Sequence, residues 1–247
     1  MSASRHPALS LWLGWARWLK LWHRYEVQGI EVLDEPGSKL ILGYHGRAFA
    51  HDLIALTWEL YRRQGRIPVS IIHSFADDFG PLRWMKEGME AVTGDEASVQ
   101  KVVQEGRHIV LLPGGNREAN RSFRVRYQVD WGARLGYLKF ALRHRLPIVP
   151  VASSGVDDAY IGLNDGYSLG KRLKLPSNLP AWVGIGPLGL MPFSPTFPVK
   201  FRQLVGQPID LYADGTPDPR DTDHLYRLHA RVTGAVQDLL NQAREKR

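Results

Sequence analysis

The 247-residue sequence contains no cysteine. This absence excludes disulfide bonds, thiolate nucleophiles and the common cysteine-based zinc sites, and it permits a reducing compartment. The apolar run near the N-terminus has no small-residue cleavage site and is interrupted by Arg17 and Lys20. We therefore do not expect a secretory signal peptide.

Several catalytic motifs are also missing. No Gly-x-Ser-x-Gly elbow is present, which argues against a serine hydrolase, and no His-Glu-x-x-His spacing indicates a bound metal. The stretch GIGPLG at 184–189 fits a dinucleotide-binding pattern, but Pro187 lies inside it and no helix signal follows. The sequence therefore predicts neither a metal site nor a nucleotide cofactor.

The composition indicates one domain with a basic surface. Hydrophobic residues make up 44% of the chain, and no linker, repeat or low-complexity tract interrupts it. The formal net charge is +7, which favours an anionic partner such as nucleic acid, anionic lipid or a phosphorylated substrate. Because the basic residues are scattered and match no nucleic-acid-binding motif, we expect no nucleic-acid partner.

Residues 1–30 are predicted to form an amphipathic helix at a membrane interface. Four of the eight tryptophans lie in this segment: Trp12, Trp15, Trp18 and Trp22. At 100° per residue they share one face with Leu11 and Leu19. Arg17, Lys20 and Arg24 lie on the opposite face. Tryptophan favours the membrane–water interface, and basic residues are attracted to anionic lipid.

This helix should lie on a membrane surface rather than cross the bilayer. Its apolar run is shorter than the ~20 residues that a spanning helix needs, and it carries charge. A different arrangement is also open, in which the aromatic face packs on the core of the domain itself.

Residues 31–247 show the alternation of an α/β domain. Buried strands are predicted at 39–45 and 67–73, and further strands at 108–115, 146–152 and 199–209. Helices are predicted at 52–65, 93–106, 131–145 and 222–244, and loops at 160–198. Thr93 and Glu96 have the spacing of a capping box. We expect a single domain with a largely parallel central sheet flanked by helices.

Polar clusters follow three of these strands, at 45–52, at 114–118 and after Ala152. Ligands of parallel α/β sheets bind beyond the carboxyl ends of the strands. A histidine oriented by a carboxylate can act as a general base on a substrate hydroxyl, which can then attack an acyl carbonyl without any cysteine.

His45 and Asp52 are the candidates for this pair. Gly46 would let the chain fold back and bring the His45 ring to Asp52, whereas His51 and Asp52 are neighbours on a helix and point about 100° apart. The structural alternative is that His45 ends the strand and Asp52 caps the helix.

These motifs resemble those of the glycerolipid acyltransferases of the PlsC superfamily, in particular the branch of diacylglycerol acyltransferase-like proteins. YHGRAFAHD at 44–52 is similar to the family block of a histidine followed by an aspartate. LLPGGNREA at 111–119 resembles the Pro-Gly-Gly-x-Arg-Glu block. The later blocks resemble DWGARLGYLKFA at 130–141, LPIVPVA at 146–152 and SPTFPVKFRQLVGQPI at 194–209.

The resemblance implies transfer of a fatty acyl group from coenzyme A or acyl carrier protein to a hydroxyl of a glycerolipid or lysophospholipid. His45 would be the base and Asp52 the carboxylate that orients it. Six residues separate the two, where the family usually has four, so His51 is the alternative base. The acceptor site would be shaped by Gly114, Gly115, Asn116, Arg117 and Glu118. Arg117 would hold a phosphate or carboxylate, or pair with a neighbouring acid.

The same resemblance places the protein peripherally on the cytoplasmic face of a membrane, with no cofactor besides the acyl thioester. Two other functions fit the sequence. A non-catalytic lipid-binding protein of the same fold would not need His45, and an acyl-thioester hydrolase would use the same base on water. The apolar segment 184–193 lines an acyl channel, touches the membrane or forms a plain loop.

Overall fold

The structure is a computed structural model that describes residues 7–72, 90–93, 95–175, 180–213, 215 and 217–245. Its helices are α1 (Pro7–Trp22), α2 (Arg47–Gln64), α3 (Glu96–Gln104), α4 (Gly115–Ala119), α5 (Gly136–Arg143), α6 (Tyr167–Arg172) and α7 (Thr222–Glu245). Its strands are β1 (Glu26–Gln28), β2 (Leu40–Gly43), β3 (Val69–Ile72), β4 (Val92–Thr93), β5 (Ile109–Leu111), β6 (Ile148–Ser154), β7 (Ile161–Gly162), β8 (Gly184–Gly186), β9 (Gly189–Leu190) and β10 (Arg202–Val205).

Seven of these strands form the central sheet, in the order β1-β10-β6-β2-β5-β3-β4. All neighbouring pairs are parallel except β10 and β6, which are antiparallel. Strands β2 and β6 are buried along their whole length, as expected for the centre of a sheet that is covered on both faces. The predicted largely parallel sheet flanked by helices is confirmed.

Helix α7 covers part of this sheet. Its buried residues recur every three or four positions, which places them on one face of the helix: Leu225, Leu228, Val232, Val236 and Leu240. This face packs against β6 and β10. The periodicity that predicted the helix therefore also gives the reason for its position.

Three local predictions are wrong. The helix predicted at 52–65 begins at Arg47, so Asp52 lies in its second turn rather than at its N-terminus. The capping box does not form, because Thr93 belongs to β4 and Asp95 caps α3 by accepting a hydrogen bond from the Ser98 amide. The segment 160–198, predicted as loops, contains α6 and a small antiparallel sheet in the order β7-β8-β9.

Helix α1 packs against α2. Trp12 is buried and its indole N–H donates to Thr57 Oγ1 at 2.9 Å, and Leu19 is buried on the same side. Trp18 is 45% exposed and Leu11 is also exposed. The prediction of one continuous tryptophan face is therefore wrong, because Trp12 faces the domain while Trp18 faces outward.

The other two tryptophans of α1 are half-buried. Trp15 meets Trp12 edge to face, with ring centroids 5.4 Å apart. The Trp22 indole N–H donates to the Thr196 carbonyl oxygen at 3.1 Å. Strand β1 then joins the central sheet beside β10. Helix α1 and strand β1 thus both contact the α/β domain.

None of the helices in the described ranges is long and apolar enough to span a bilayer.

Candidate functional site

The carboxyl ends of three central strands bring the site together. His45 follows β2, Glu118 lies on α4 after β5, and Asp157 follows β6. Because β2 lies between β5 and β6 and runs parallel to both, these three segments emerge at one edge of the sheet. The backbone N–H of His45 donates to Glu118 Oε2 at 3.0 Å. The predicted convergence of these strand ends is confirmed.

The partly buried ring of His45 has one nitrogen already in use. Its Nδ1 lies 2.8 Å from the Gly46 carbonyl oxygen, so Nδ1 carries the proton and Nε2 keeps its lone pair. Burial lowers the pKa of His45 to about 4, although the Gly46 hydrogen bond opposes this change. The ring is therefore neutral at pH 7 and able to accept a proton at Nε2.

Asp52 is held by a different set of partners. Its Oδ2 accepts hydrogen bonds from Ser153 Oγ at 2.6 Å and from Gln203 Nε2 at 3.1 Å. Burial raises the pKa of Asp52 to about 6, and these hydrogen bonds limit the rise. No hydrogen bond or ion pair joins Asp52 to His45 among the described residues, so the direct pair that the sequence predicted is not formed.

The second oxygen of Asp52 nevertheless faces the histidine segment. Oδ1 is buried and has no hydrogen-bond partner in the described part of the chain. It lies 3.4 Å from the place that a Cβ on Gly46 would occupy. That same Cβ would stand 2.6 Å from Val156 Cβ, so only glycine fits where α2 begins. Asp52 therefore lies against the peptide whose carbonyl holds the His45 ring.

His51 belongs to an aromatic cluster instead. The centroid of its ring lies 6.0 Å from the ring centroid of Trp15, 5.9 Å from that of Phe49 and 6.2 Å from that of His23. Its buried Nδ1 has no hydrogen-bond partner in the described ranges. Burial lowers the pKa of His51 to about 3 and that of His23 to about 4. His51 packs between α1 and the domain.

These two buried histidines should make the fold sensitive to acid. The pKa of an unfolded histidine is about 6.5, so between that pH and about 4 the unfolded chain binds protons that the folded chain refuses. We expect the free energy of unfolding to fall with decreasing pH in this window, by up to ~1.4 kcal/mol per pH unit for each histidine. The raised pKa of Asp52 acts in the opposite direction between pH ~4 and ~6.

Urea unfolding at pH 7, 6 and 5 would measure this dependence. His51→Phe keeps the ring contacts and removes one proton site, so its stability should fall less steeply than that of the wild type. Equal slopes for the two proteins would contradict the assignment.

The segment Gly114–Glu118 supports His45 through Glu118. The fully buried carboxylate of Glu118 accepts hydrogen bonds from the His45 amide, from the Asp130 amide at 2.8 Å and from Trp131 Nε1 at 3.2 Å. Burial raises the pKa of Glu118, while Arg121, at 3.6 Å, lowers it. Glu118 thus fixes the backbone at the catalytic candidate rather than facing a substrate.

The other residues of this segment are placed around that carboxylate. Arg117 is half exposed and forms an ion pair with Asp130 at 2.8 Å, which matches the alternative of a neighbouring acid. Asn116 accepts a hydrogen bond from Asn120 Nδ2 at its carbonyl oxygen. Gly115 has φ of +47°, a backbone conformation that favours glycine.

Beneath His45 lies a buried ionic network that the sequence patterns missed. It consists of Tyr44, Arg47, Arg121 and Asp157. Arg121 Nη2 donates to the His45 carbonyl oxygen at 3.3 Å, and its guanidinium lies 4.3 Å from the centre of the Tyr44 ring. The sequence signal for this network was that Tyr44 directly follows one buried strand and Asp157 lies three residues after the end of another.

Two clefts adjoin α4. The more polar one has a volume of about 910 Å³ and a mixed lining, in which the charged residues are Arg117, Arg121, Arg134, Asp130 and Asp165. The second is mostly apolar, has a volume of about 420 Å³ and includes Tyr137 and Phe140. Arg134 lines both clefts. The polar and the apolar cleft therefore adjoin each other at Arg134.

No group of three or more His, Cys, Asp or Glu side chains in the described ranges is arranged to hold a metal ion.

Comparison with solved structures identifies the fold. The chain is similar to the 1-acyl-sn-glycerophosphate acyltransferase PlsC of Thermotoga maritima, with a TM-score of 0.55 and 13% identity, over 94% of this chain and 79% of that one. The α/β architecture is thus that of the PlsC acyltransferases. At this identity the likeness concerns the fold alone.

The sequence comparisons are more specific. Residues 48–247 match the model of the family described as diacylglycerol acyltransferase, and the chain belongs to this family. The predicted membership of the glycerolipid acyltransferases is confirmed. The match begins at Ala48, so it includes Asp52 and residues 114–118, whereas His45 precedes it.

Curated relatives include "DGAT1/2-independent enzyme synthesizing storage lipids" of Bos taurus, which is 28% identical over 97% of this chain, and of Homo sapiens, which is 27% identical over 97%. An uncharacterized protein of Mycobacterium tuberculosis is 25% identical over 90% of this chain. The chain spans 65% of the bovine relative, 67% of the human one and 62% of the mycobacterial one.

Proposed function

We propose that this protein transfers a fatty acyl group from an acyl thioester to a hydroxyl of a glycerolipid or lysophospholipid. The observation that carries the proposal is the neutral His45 ring at the shared edge of β2, β5 and β6, anchored at Nδ1 and able to accept a proton at Nε2. Membership of the diacylglycerol acyltransferase family supports the reaction class.

In this mechanism His45 Nε2 takes the proton of the acceptor hydroxyl. The oxygen attacks the thioester carbonyl carbon, the carbon–sulfur bond breaks, and the leaving thiolate recovers the proton from His45. Asp52 Oδ1 lies beside the Gly46 peptide whose carbonyl accepts from the ring, so Asp52 orients His45 through this peptide without contacting the ring. Asp52 acts here as a positioning residue.

The two clefts suit the substrates of such a reaction. Arginine binds phosphate and carboxylate groups through its planar, permanently charged fork. Arg117 and Arg134 line the polar cleft, where a phosphate of coenzyme A or of a phosphorylated acceptor would replace Asp130 as the partner of Arg117. The apolar cleft beside Tyr137 fits acyl chains. Acyl carrier protein is the alternative donor.

The protein would act peripherally at the cytoplasmic face of a membrane, where its lipid acceptor resides. The exposed part of α1 contains Leu11, Trp18 and Leu21, and Arg17 and Arg24 are exposed nearby. Exposed tryptophan and basic residues together favour an anionic interface. Trp12 is excluded from this contact because it packs against α2.

A radiolabelled acyl-CoA assay with mixed vesicles tests the proposal. The acceptors to be compared are lysophosphatidate, lysophosphatidylcholine, monoacylglycerol and diacylglycerol. We expect labelled lipid with at least one of them. Free fatty acid as the sole product, in the presence of every acceptor, would identify a hydrolase instead. No product with any acceptor, using either acyl-CoA or acyl carrier protein, would favour a lipid-binding protein.

A further inference from the structure

The small sheet β7-β8-β9 has an unusual distribution of side chains. Its strands alternate glycine with aliphatic residues, in Ile161-Gly162-Leu163, Gly184-Ile185-Gly186 and Gly189-Leu190. Sheets with one solvated face usually direct apolar residues inward and polar residues outward. Here glycines Gly162, Gly184 and Gly186 are buried, while the aliphatic residues are exposed or half-exposed.

The glycine face lies directly on the domain. A Cβ on Gly162 would stand 2.5 Å from Arg47 Nη1, and one on Gly186 would stand 2.3 Å from the Pro195 carbonyl oxygen. A Cβ on Gly184 would stand 2.3 Å from the Trp182 ring. Only glycine permits these approaches, and at Gly162 the sheet lies directly on Arg47 of the network beneath His45.

The opposite face is a row of aliphatic side chains. The strand register pairs Ile161 with Ile185 and Ile185 with Leu190, which places the three on one face. Two further side chains extend the row: Leu188, in the turn between β8 and β9, is 79% exposed, and Phe193, after β9, is 91% exposed. Side chains of this size are rarely left so exposed in a group unless the surface binds something.

The charge around this face indicates what covers it. Residues 166–200 contain no Asp or Glu, but they contain Lys171, Arg172, Lys174 and Lys200. Lys171 and Arg172 form the last turn of α6, which lies next to β8 in the fold because the Ala181 amide donates to the Gly166 carbonyl oxygen at 2.9 Å. Lys200 pairs with Glu26 at 2.6 Å, which leaves Lys171, Arg172 and Lys174 as the exposed cations of this segment. Together with the apolar row they complement an anionic bilayer surface.

The row is also connected to α1 through the residues that follow it. Trp22 and Arg24 donate to the carbonyl oxygens of Thr196 and Pro198, in the segment that follows the hairpin. Trp18 stacks on Trp22 with ring centroids 5.5 Å apart. The segment that follows the row is therefore held against the end of α1.

We propose that the aliphatic face of β7-β8-β9, with Leu188 and Phe193, is a second membrane-contact surface that inserts into an anionic bilayer interface. This proposal rests on the proposed function in one respect: a lipid acceptor is the reason for the His45 site to lie against a bilayer. Strand β7 would then lie between Arg47 of the network beneath His45 and the membrane.

Vesicle flotation tests this surface without any turnover. Leu188→Ser, Leu190→Ser and Phe193→Ser combined should reduce partitioning into vesicles of phosphatidylcholine and phosphatidylglycerol by about tenfold or more. The matched control is Tyr226→Ser, an exposed aromatic residue of α7, which should bind like the wild type. The neutralising substitutions Lys171→Gln and Arg172→Gln should weaken binding to these vesicles by about fivefold per residue and leave binding to pure phosphatidylcholine unchanged.

The absence of native cysteine allows a direct local measurement. A fluorophore on Leu188→Cys should shift to the blue and brighten when vesicles are added, whereas one on Tyr226→Cys should not. If the triple variant is folded and binds vesicles as well as the wild type does, the proposal is wrong. It is also wrong if the wild type binds neither the mixed phosphatidylcholine–phosphatidylglycerol vesicles nor the pure phosphatidylcholine vesicles. A different result would show that the face binds a second copy of the chain. In that case the wild type is a dimer without lipid, and the triple variant is a monomer that binds vesicles as the wild type does. A wild type that binds vesicles but transfers no acyl group overturns only the proposed function.

Discussion

Replacing His45 with alanine is expected to lower kcat/KM by about a thousandfold, with little change in stability. A positioned general base contributes 10²- to 10⁴-fold in typical enzymes. The ring is partly buried and its one hydrogen bond is to the neighbouring Gly46 carbonyl, so little packing is lost with it. Measuring labelled lipid and urea unfolding on the same preparation separates the two effects.

His51→Phe is the matched control for this variant. His51 packs against Trp15 and Phe49, and phenylalanine preserves an aromatic ring in that cluster. We expect it to retain acyl transfer close to that of the wild type. Loss of activity in His51→Phe with retention in His45→Ala would reverse the assignment of the base.

The pH dependence gives a further check on the same residue. Because burial lowers the pKa of His45 to about 4, the ring is neutral at both pH 7 and pH 8. The ratio of wild-type to His45→Ala activity should therefore be equal at these two values. A ratio that rises steeply over this interval would mean that another group supplies the base.

The sequence predicted the parts of the fold that depend on periodicity. Central strands such as β2 and β6, and the long helix α7, follow from uninterrupted apolar runs or a regular apolar face. The sheet β7-β8-β9 was missed because its strands are two or three residues long and rich in glycine. Glycine is read as a loop signal, while here it permits close packing of backbone on the domain.

The candidate site was predicted in outline and corrected in detail. The position of His45 and the convergence of strand ends follow from parallel strand topology, which sequence patterns can reveal. The partners of Asp52 could not be predicted, because Ser153 and Gln203 lie on β6 and β10 and are far away in sequence. The role of Glu118 depends on the turn at Trp131, which has no local sequence signal.

The second large effect is expected from Gly114→Ala. The backbone of Gly114 has φ of −66° and ψ of −31°, which any residue adopts, so the substitution acts through contact alone. The new Cβ would stand 2.1 Å from Glu118 Oε2 and 2.3 Å from Glu118 Cγ. Glu118 must therefore move away from the amide of His45 and from its other donors.

We expect Gly114→Ala to lose about 3 kcal/mol of stability, because a buried carboxylate gives up its hydrogen bonds and part of its pairing with Arg121. Its remaining folded fraction should show a kcat about tenfold to a hundredfold lower, since the base is displaced. The control is Gly234→Ala on α7, where nothing lies within 4 Å of the added Cβ. There the lower backbone entropy cost should raise stability by about 0.5–1 kcal/mol.

A double-mutant cycle with Glu118→Ala shows whether the effect passes through this one side chain. If Gly114→Ala acts only by displacing Glu118, adding it to Glu118→Ala should cost little more than Glu118→Ala alone, in both stability and kcat. Independent, additive losses would mean that the Gly-Gly turn contributes to the site by another route, such as direct contact with the acceptor. That result would return Gly114 to the acceptor-binding role that its sequence motif implies, and would leave Glu118 as a separate support for His45.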